Sequence, residues 1–538
     1  MRSGGRVLID GLLGHGGHTA FCVPGESFLG ALDAMYACRD RFNLITCRQE
    51  GGVAYMAEAW GKLTGKPGIC FVSRGPGAST AMVGIHTACQ DSTPLICFVG
   101  QVPRRDRGRE AFQELDYHRV FSGVAKKVIS IDDANRIPEQ LNQAWQTAVS
   151  GRPGPVVVVL YEDMLRDEVS VADIPPAEAY RRFPPAPAQD AILQVAEELR
   201  SAKKPLIISG DSGWSRRHQT LLTEFSEQHQ VPVAAAFRRQ DSFDNTHPNY
   251  IGELGLSIAP ALREYLAQSD LLLVIGPRLG EMTTDGYELI APPLGHTGQR
   301  LVHVHPSGEE PGSVFHADVA VHSDTAEFLG AMQGISPSPG DRQELIASLH
   351  ARYNAWVEEP VSEGQEPRMD SICATIRNVL PAEAVVTVGA GSYTTWGQRF
   401  YRYRLSGTQL GSTNGTMGYS TPAAIAAKLL KPETPVVSFN GDGCFMMNGQ
   451  EFATAVQYGL PVVFLVINNR RLGTIRVHQE RHYPGRVVGT ELHNPDFAKL
   501  AEAYGGRGFT VTRTGEFASA FKDALAARVP ALIDIQVP

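Results

Sequence analysis

Two neighbouring stretches decide how this chain folds: Val436-Val-Ser-Phe-Asn-Gly-Asp-Gly443 and Pro461-Val-Val-Phe-Leu-Val-Ile-Asn-Asn469. Each carries the unbroken apolar run of a strand buried on both faces, and a helix is expected between them near 449–458. Strand, helix and strand in that order make a parallel βαβ unit, whose two strand C-termini lie side by side. The first strand runs straight into Gly441-Asp442-Gly443. Glycines let a backbone close around a ligand, and a following helix N-terminus offers free N–H groups and a positive dipole end to an anion. The segment therefore reads as a diphosphate cradle. Asp442 puts a hard carboxylate oxygen inside it, and Asn469, 27 residues further on, reaches the same end of the sheet. A magnesium ion, held by few protein oxygens and by phosphates, suits such a donor set.

The same alternation extends outward. In the first third, Thr19–Val23, Leu44–Cys47, Gly68–Val72, Pro94–Val99 and Pro155–Leu160 read as strands, with Ser27–Cys38 and Gly51–Leu63 as helices. Lys204 to Pro306 repeats the pattern with KPLIISG, QVPVAAAF, SDLLLVIG and RLVHVHP, and the last third adds AVVTVGAG and PALIDIQV. Pro-rich, aperiodic stretches at 169–188 and 335–340 read as linkers. The expected fold is α/β, with three doubly wound parallel-sheet domains: N-terminal over 1–170, central over 187–335 and C-terminal over 365–538.

Composition narrows the function. Hydrophobic residues at 43% and charged residues at 20% are ordinary globular usage and exclude a disordered chain. The net charge of −8 leaves no basic surplus for a phosphate backbone, so nucleic acid is not an expected partner. No run approaches about 18 uninterrupted apolar residues and the start lacks an apolar leader, so no membrane is expected and the location reads as cytoplasmic. The eight cysteines form no C-x-x-C pair and read as reduced, mostly buried hydrophobes. The 54 glycines are the unusual figure, and many fall at strand ends.

Gly441-Asp-Gly443 through Asn468-Asn469 resembles the diphosphate and metal signature of thiamine diphosphate-dependent enzymes, and the rest of the chain agrees over essentially its whole length. The resemblance implies a pyrimidine-binding N-terminal domain, a central domain and a diphosphate-binding C-terminal domain. It implies that Glu50, in Arg48-Gln-Glu-Gly-Gly-Val-Ala-Tyr-Met-Ala-Glu58, is the family's essential glutamate, with Glu58 as the second acid eight residues later. A carboxyl hydrogen-bonded to the pyrimidine favours its imino tautomer, whose nitrogen can remove the thiazolium C2 proton to give a nucleophilic ylid. Read without the family, Glu50 is a helix N-terminal carboxylate, whose commonest role is a cap. The resemblance further implies Met417, in Gly411-Ser-Thr-Asn-Gly-Thr-Met-Gly418, as the wedge beneath a bent cofactor, with Asn414 in the same segment. Gly389, Gly391, Ser392, Tyr393 and Thr474 are implied on the diphosphate side, and Pro76, within Ser73-Arg-Gly-Pro-Gly77, against the pyrimidine. Asp442, Asn469 and the backbone carbonyl of Arg471 are the implied ligands of Mg2+.

Within the family the likeness is to the acetolactate synthase and pyruvate oxidase group. Gly100-Gln-Val-Pro and Ala111-Phe-Gln-Glu114 imply Phe112 and Gln113 beside the substrate. The paired histidines of the pyruvate decarboxylase branch have no counterpart, since only His118 stands in that region. Glu26 replaces a glycine of the acetolactate synthases, either as a proton donor or acceptor at the substrate or as a solvated helix-terminal acid. His478 stands where those enzymes have tryptophan, either at the substrate or as a surface histidine, and Arg74 replaces a small hydroxyl residue. With Ile475, these residues imply a more polar or charged pocket, and Glu50, Glu26, Gln113 and His478 are the catalytic candidates. Gly276-Pro-Arg-Leu-Gly-Glu281 and His303-Val-His-Pro-Ser307 lack the acidic runs that accompany flavin binding, so FAD is not expected. The implied activity is decarboxylation of a 2-oxo acid and ligation of the acyl carbanion to a second carbonyl, in a homodimer or homotetramer with active sites between subunits. A 2-hydroxyacyl-CoA lyase-like or diketone-cleaving enzyme is the rival within the chemistry, and a non-catalytic regulatory homologue the rival outside it.

Overall fold

The apolar runs pair as parallel strands. The computed structural model describes residues 1–175, 183–211, 213–290, 298–337, 341–361 and 364–538. Among the described residues there are three six-stranded sheets, each parallel throughout. The N-terminal sheet runs in the order Asn43–Thr46, Thr19–Cys22, Gly68–Val72, Leu95–Gln101, Pro155–Tyr161, Lys127–Ile131. The C-terminal sheet has the same connectivity: Gln409–Gly411, Val385–Val388, Val436–Gly441, Val463–Asn468, Ala531–Gln536, Arg507–Val511. The central sheet differs, with Tyr250–Glu253, Val233–Ala235, Pro205–Ser209, Leu271–Ile275, Arg300–His305 and Val319–His322 in the order typical of nucleotide-binding doubly wound folds.

Register positions the site. Val437 pairs with Val463 and Gly441 with Ile467, so both strands end together and Asp442 emerges beside Asn468-Asn469. The intervening segment departs from expectation. A helix begins at once, over Asp442–Asn448, and is followed by a 3-10 turn at Gly449–Glu451 and a short helix at Phe452–Gln457. Asp442 makes the early start possible, since its carboxylate accepts the Gly443 N–H that begins the helix. Asn448 then leaves helical geometry at φ −140°, which splits the segment in two.

Five strands of the three six-stranded sheets have no counterpart in the apolar pattern: Lys127–Ile131, Tyr250–Glu253, Val319–His322, Gln409–Gly411 and Arg507–Val511. Every one is a sheet edge. The helix Gln343–Glu358 lies beyond the expected central span and packs on the central core through Leu349, Tyr353 and Val357. The middle of the first linker, 176–182, and the end of the second, 338–340, lie outside the described residues.

The N- and C-terminal units share one hydrophobic core, which runs from Phe21 and Val53 through Tyr419 to Phe464. Helix Glu50–Thr64 packs against helix Ser420–Leu430 at its centre. A buried polar cluster crosses that seam. Glu58 is fully buried, pairs with Lys62 at 2.9 Å and accepts the Tyr419 hydroxyl at 2.6 Å. Lys62 also pairs with Asp91, which accepts the Thr413 N–H at 2.7 Å. The second acid of the Glu50 segment therefore joins the two units.

Candidate active site

The C-terminal end of the C-terminal sheet opens into a cavity of about 240 Å³. Gly391, Ser392 and Tyr393 line one side, Gly441, Asp442 and Gly443 the floor, and Asn469, Arg471 and Thr474 the other side. Met417 and Ile475 complete the wall. Glycine is required at the floor. A Cβ at Gly441 would stand 2.7 Å from the Tyr393 ring, and one at Gly443 would stand 2.8 Å from Leu472. Gly391 sits at φ +140°, where side chains are strained. Thr474 ties the two sides together by accepting the Ser392 N–H at 2.8 Å.

Asp442 is buried, and burial pushes its carboxyl above the usual range, while the Gly443 N–H and Asn494 pull it back. Its Oδ2 accepts Asn494 Nδ2–H at 2.7 Å, and the same nitrogen donates to Asn468 Oδ1 at 2.9 Å. Asn468 in turn donates to the buried Asp534 at 3.0 Å. The asparagine pair thus divides its work: Asn468 anchors the network behind the cavity, and Asn469 lines the cavity itself. One carboxylate, one amide oxygen and one main-chain carbonyl, from Asp442, Asn469 and Arg471, fit a magnesium ion that takes its remaining oxygens from phosphates and water. Gly389 and Asn414 stand just outside the cavity lining. A Cβ at Gly389 would clash with Cys444 Sγ, and the Gly389 carbonyl accepts Arg238 Nη2–H at 2.9 Å. Asn414 donates to Thr87 at 3.2 Å and lines a second cavity of about 730 Å³ toward the central unit, which shares Gly391, Ser392 and Thr474 with the first.

The N-terminal sheet gathers a second group at its own C-terminal end. Glu50 is the first residue of helix Glu50–Thr64, yet Gln49 is its N-cap, accepting the Gly52 N–H at 3.1 Å. The Glu50 side chain makes no hydrogen bond or ion pair among the described residues. Its Oε1 lies 3.1 Å from where a Cβ at Gly77 would stand, which brings Glu50 against the first turn of helix Gly75–Gln90, where Pro76 also lies. Glu26 is exposed at the start of the 3-10 turn Glu26–Phe28, and the preceding Gly25 packs on Ser73. Arg74 is ion-paired with Glu162 and reaches the Phe112 carbonyl at 3.4 Å. Phe112 is 75% exposed, and Gln113 sits at φ +64° with its carbonyl accepting the Gly75 N–H. None of this group lines the 240 Å³ cavity. His478 does not line it either: it is exposed on helix Gly473–His482, stacked on His482.

Sequence reasoning missed Asn494, Glu451 and Arg238. Asn494 lies in a loop with no motif around it. Glu451 carried a faint signal, as the lone charged residue in the segment 443–458.

Three family models match the chain: the thiamine pyrophosphate enzyme N-terminal TPP binding domain over residues 2–120, the central domain over 192–332 and the C-terminal TPP binding domain over 389–535. Full-length relatives match as well. The acetolactate synthase large subunit of Parasynechococcus marenigrum is 31% identical over 99% of this chain and 87% of its own length. The mitochondrial acetolactate synthase catalytic subunit of Saccharomyces cerevisiae is 29% identical over 99% and 80%. The probable acetolactate synthase large subunit of Methanocaldococcus jannaschii is 28% identical over 99% and 92%. With all three domain models in their order and relatives matched over 99% of its length, the chain belongs to the thiamine diphosphate enzymes, in the acetolactate synthase group.

Proposed function

We propose that this chain is a carboligase that decarboxylates a 2-oxo acid and joins the acyl unit to a second carbonyl, as an acetolactate synthase does. The observation that carries this reading is the cavity in which a glycine floor, the Asp442, Asn469 and Arg471 oxygens and Met417 meet, while Glu50 stands unpartnered on the other sheet. Thiamine diphosphate, when bound, supplies a nucleophilic carbon and an electron sink for loss of carbon dioxide. Asp442, Asn469 and the Arg471 carbonyl hold Mg2+ and thereby the diphosphate, with Asn494 fixing the rotamer of Asp442. Met417, on the cavity wall, would pack against the cofactor. Glu50 holds a proton at the pyrimidine ring nitrogen, a role that its freedom from the helix cap supports.

Glu26, Arg74, Phe112, Gln113, Ile475 and His478 form the substrate side. The Arg74 charge is already matched by Glu162, so this arginine shapes the wall by holding the Phe112 carbonyl. Glu50 does not line the cavity of the cradle in its own chain, which supports a homodimer, or a dimer of dimers, in which Glu50 of one subunit serves the cradle of the other. The reaction involves no net oxidation, so the reading needs no flavin, and it keeps the enzyme in the cytoplasm. The test is to incubate the magnesium- and cofactor-loaded enzyme with a panel of 2-oxo acids, with and without a second carbonyl acceptor, and to identify products by mass. Consumption of acyl-CoA or 1,2-diketone substrates with no carbon dioxide from any 2-oxo acid overturns the reading. An active monomer in sedimentation removes the shared site, and flavin absorbance in the purified protein removes the flavin-free part.

A further inference from the structure

We propose that Glu451 is a positioning residue for Glu50, reaching from the C-terminal unit to hold the turn that presents it. Its Oε1 accepts the backbone N–H groups of Arg48 and Gln49, each at 3.0 Å. Those two residues are the last step between strand Asn43–Thr46 and the helix that Glu50 begins. The other oxygen accepts the Thr454 hydroxyl at 2.6 Å, so the carboxylate cannot swing away. Glu451 is fully buried, and burial pushes its carboxyl up against the pull of these donors. Gly52 makes the room: a Cβ there would stand 2.6 Å from Glu451 Oε1. The turn that leads into the Glu50 helix is thus built around an acid 403 residues from Arg48 along the chain. A carboxyl that must meet one ring nitrogen depends on such support, since misplacement by about 1 Å can cost about 100-fold in rate.

The inference rests on the reading that Glu50 activates bound thiamine diphosphate, so the experiment separates the two. Glu451→Ala and Gly52→Ala are compared with Glu451→Gln, which keeps an acceptor for both amides, and with Glu50→Gln. Three quantities are read on the assembled protein: C2 proton–deuterium exchange of bound thiamine diphosphate, the dissociation constant of that cofactor, and amide-exchange protection of residues 46–54. Glu451→Ala and Gly52→Ala are expected to slow C2 exchange by up to about 100-fold and to deprotect the 46–54 segment, with cofactor affinity held. Glu451→Gln is expected to restore exchange and protection. If Glu451→Ala does not assemble, Gly52→Ala decides, because alanine suits a helix better than glycine and acts only by displacing the acid. Unchanged C2 exchange in the displaced variants overturns the proposal, and so does a loss of affinity in step with exchange, which marks general loosening. If Glu50→Gln itself leaves C2 exchange intact, the activation reading falls alone, and amide protection still decides whether Glu451 holds the turn.

Discussion

Replacing Lys62 with methionine strands two carboxylates inside the protein. The Lys62 ammonium pairs with Glu58 at 2.9 Å and with Asp91, and donates to the Gly411 carbonyl at 3.0 Å. Both acids are fully buried, and Lys62 itself is only 7% exposed. Methionine keeps much of the apolar stem, so the effect is mainly electrostatic. Breaking a buried pair by removing one partner costs about 3–5 kcal/mol. The cost has a ceiling, because Asp91 can bind a proton instead. At pH 7 that costs about 1.4 kcal/mol for each of roughly 3 units above an ordinary Asp pKa, or about 4 kcal/mol. A loss of about 3–4 kcal/mol at neutral pH follows. In the native protein burial works to raise the Asp91 carboxyl, but Lys62 and Arg239 overcome it and hold the group below its ordinary value. Its contribution is therefore present above about pH 4 and is lost only as pH falls through the depressed value. In the variant Asp91 holds a proton in the folded state that the unfolded chain lacks, so the penalty shrinks by about 1.4 kcal/mol per unit of acidification, to about 1 kcal/mol at pH 5. Urea unfolding followed by tryptophan fluorescence, at pH 7 and at pH 5, measures both values, with Trp60 reporting from the same helix. A penalty below about 1 kcal/mol at pH 7, or one equally large at the two pH values, refutes the reasoning.

Asn494→Ala removes the amide that holds Asp442 against Asn468, and loss of such a partner is expected to weaken magnesium affinity by about 10–100-fold. A magnesium titration of thiamine diphosphate binding reads the shift, and an unmoved midpoint counts against the network. Glu253 is buried beside Arg238, and burial pushes its carboxyl up to about 8, so its contribution is present below its ordinary 4.5 and is lost as pH rises toward 8. Glu253→Gln keeps an acceptor for the Arg238 N–H and removes the titration; its unfolding midpoint is expected to vary less than that of the native protein between those pH values, and parallel curves contradict this.

The interior strands were legible because burial on both faces demands an unbroken apolar run, as in Val463–Asn468 and Leu271–Ile275. Some edge strands escape that demand, although Tyr250–Glu253 is buried throughout and is missed for its shortness. Val319–His322 and Arg507–Val511 each bury one residue fully, and Gln409–Gly411 is three residues long, so none stands out from a loop. The helix Asp442–Asn448 is too short for its period to register, and Gly443 argues against it locally. The site divides in the same way. Asp442 and Asn469 directly follow apolar strands and Met417 lies in a glycine-containing segment, and chemistry written into one segment can be read from one segment. Asn494 meets Asp442 across 52 positions, Tyr419 meets Glu58 across 361, and Glu451 meets Arg48 across 403. No local pattern encodes such pairs, because each partner alone is an ordinary polar residue. They are also the contacts that weld the N- and C-terminal units into one core and set where Glu50 points. The groups that perform the chemistry are therefore visible in short stretches, whereas the groups that aim them exist only as pairs that the fold brings together.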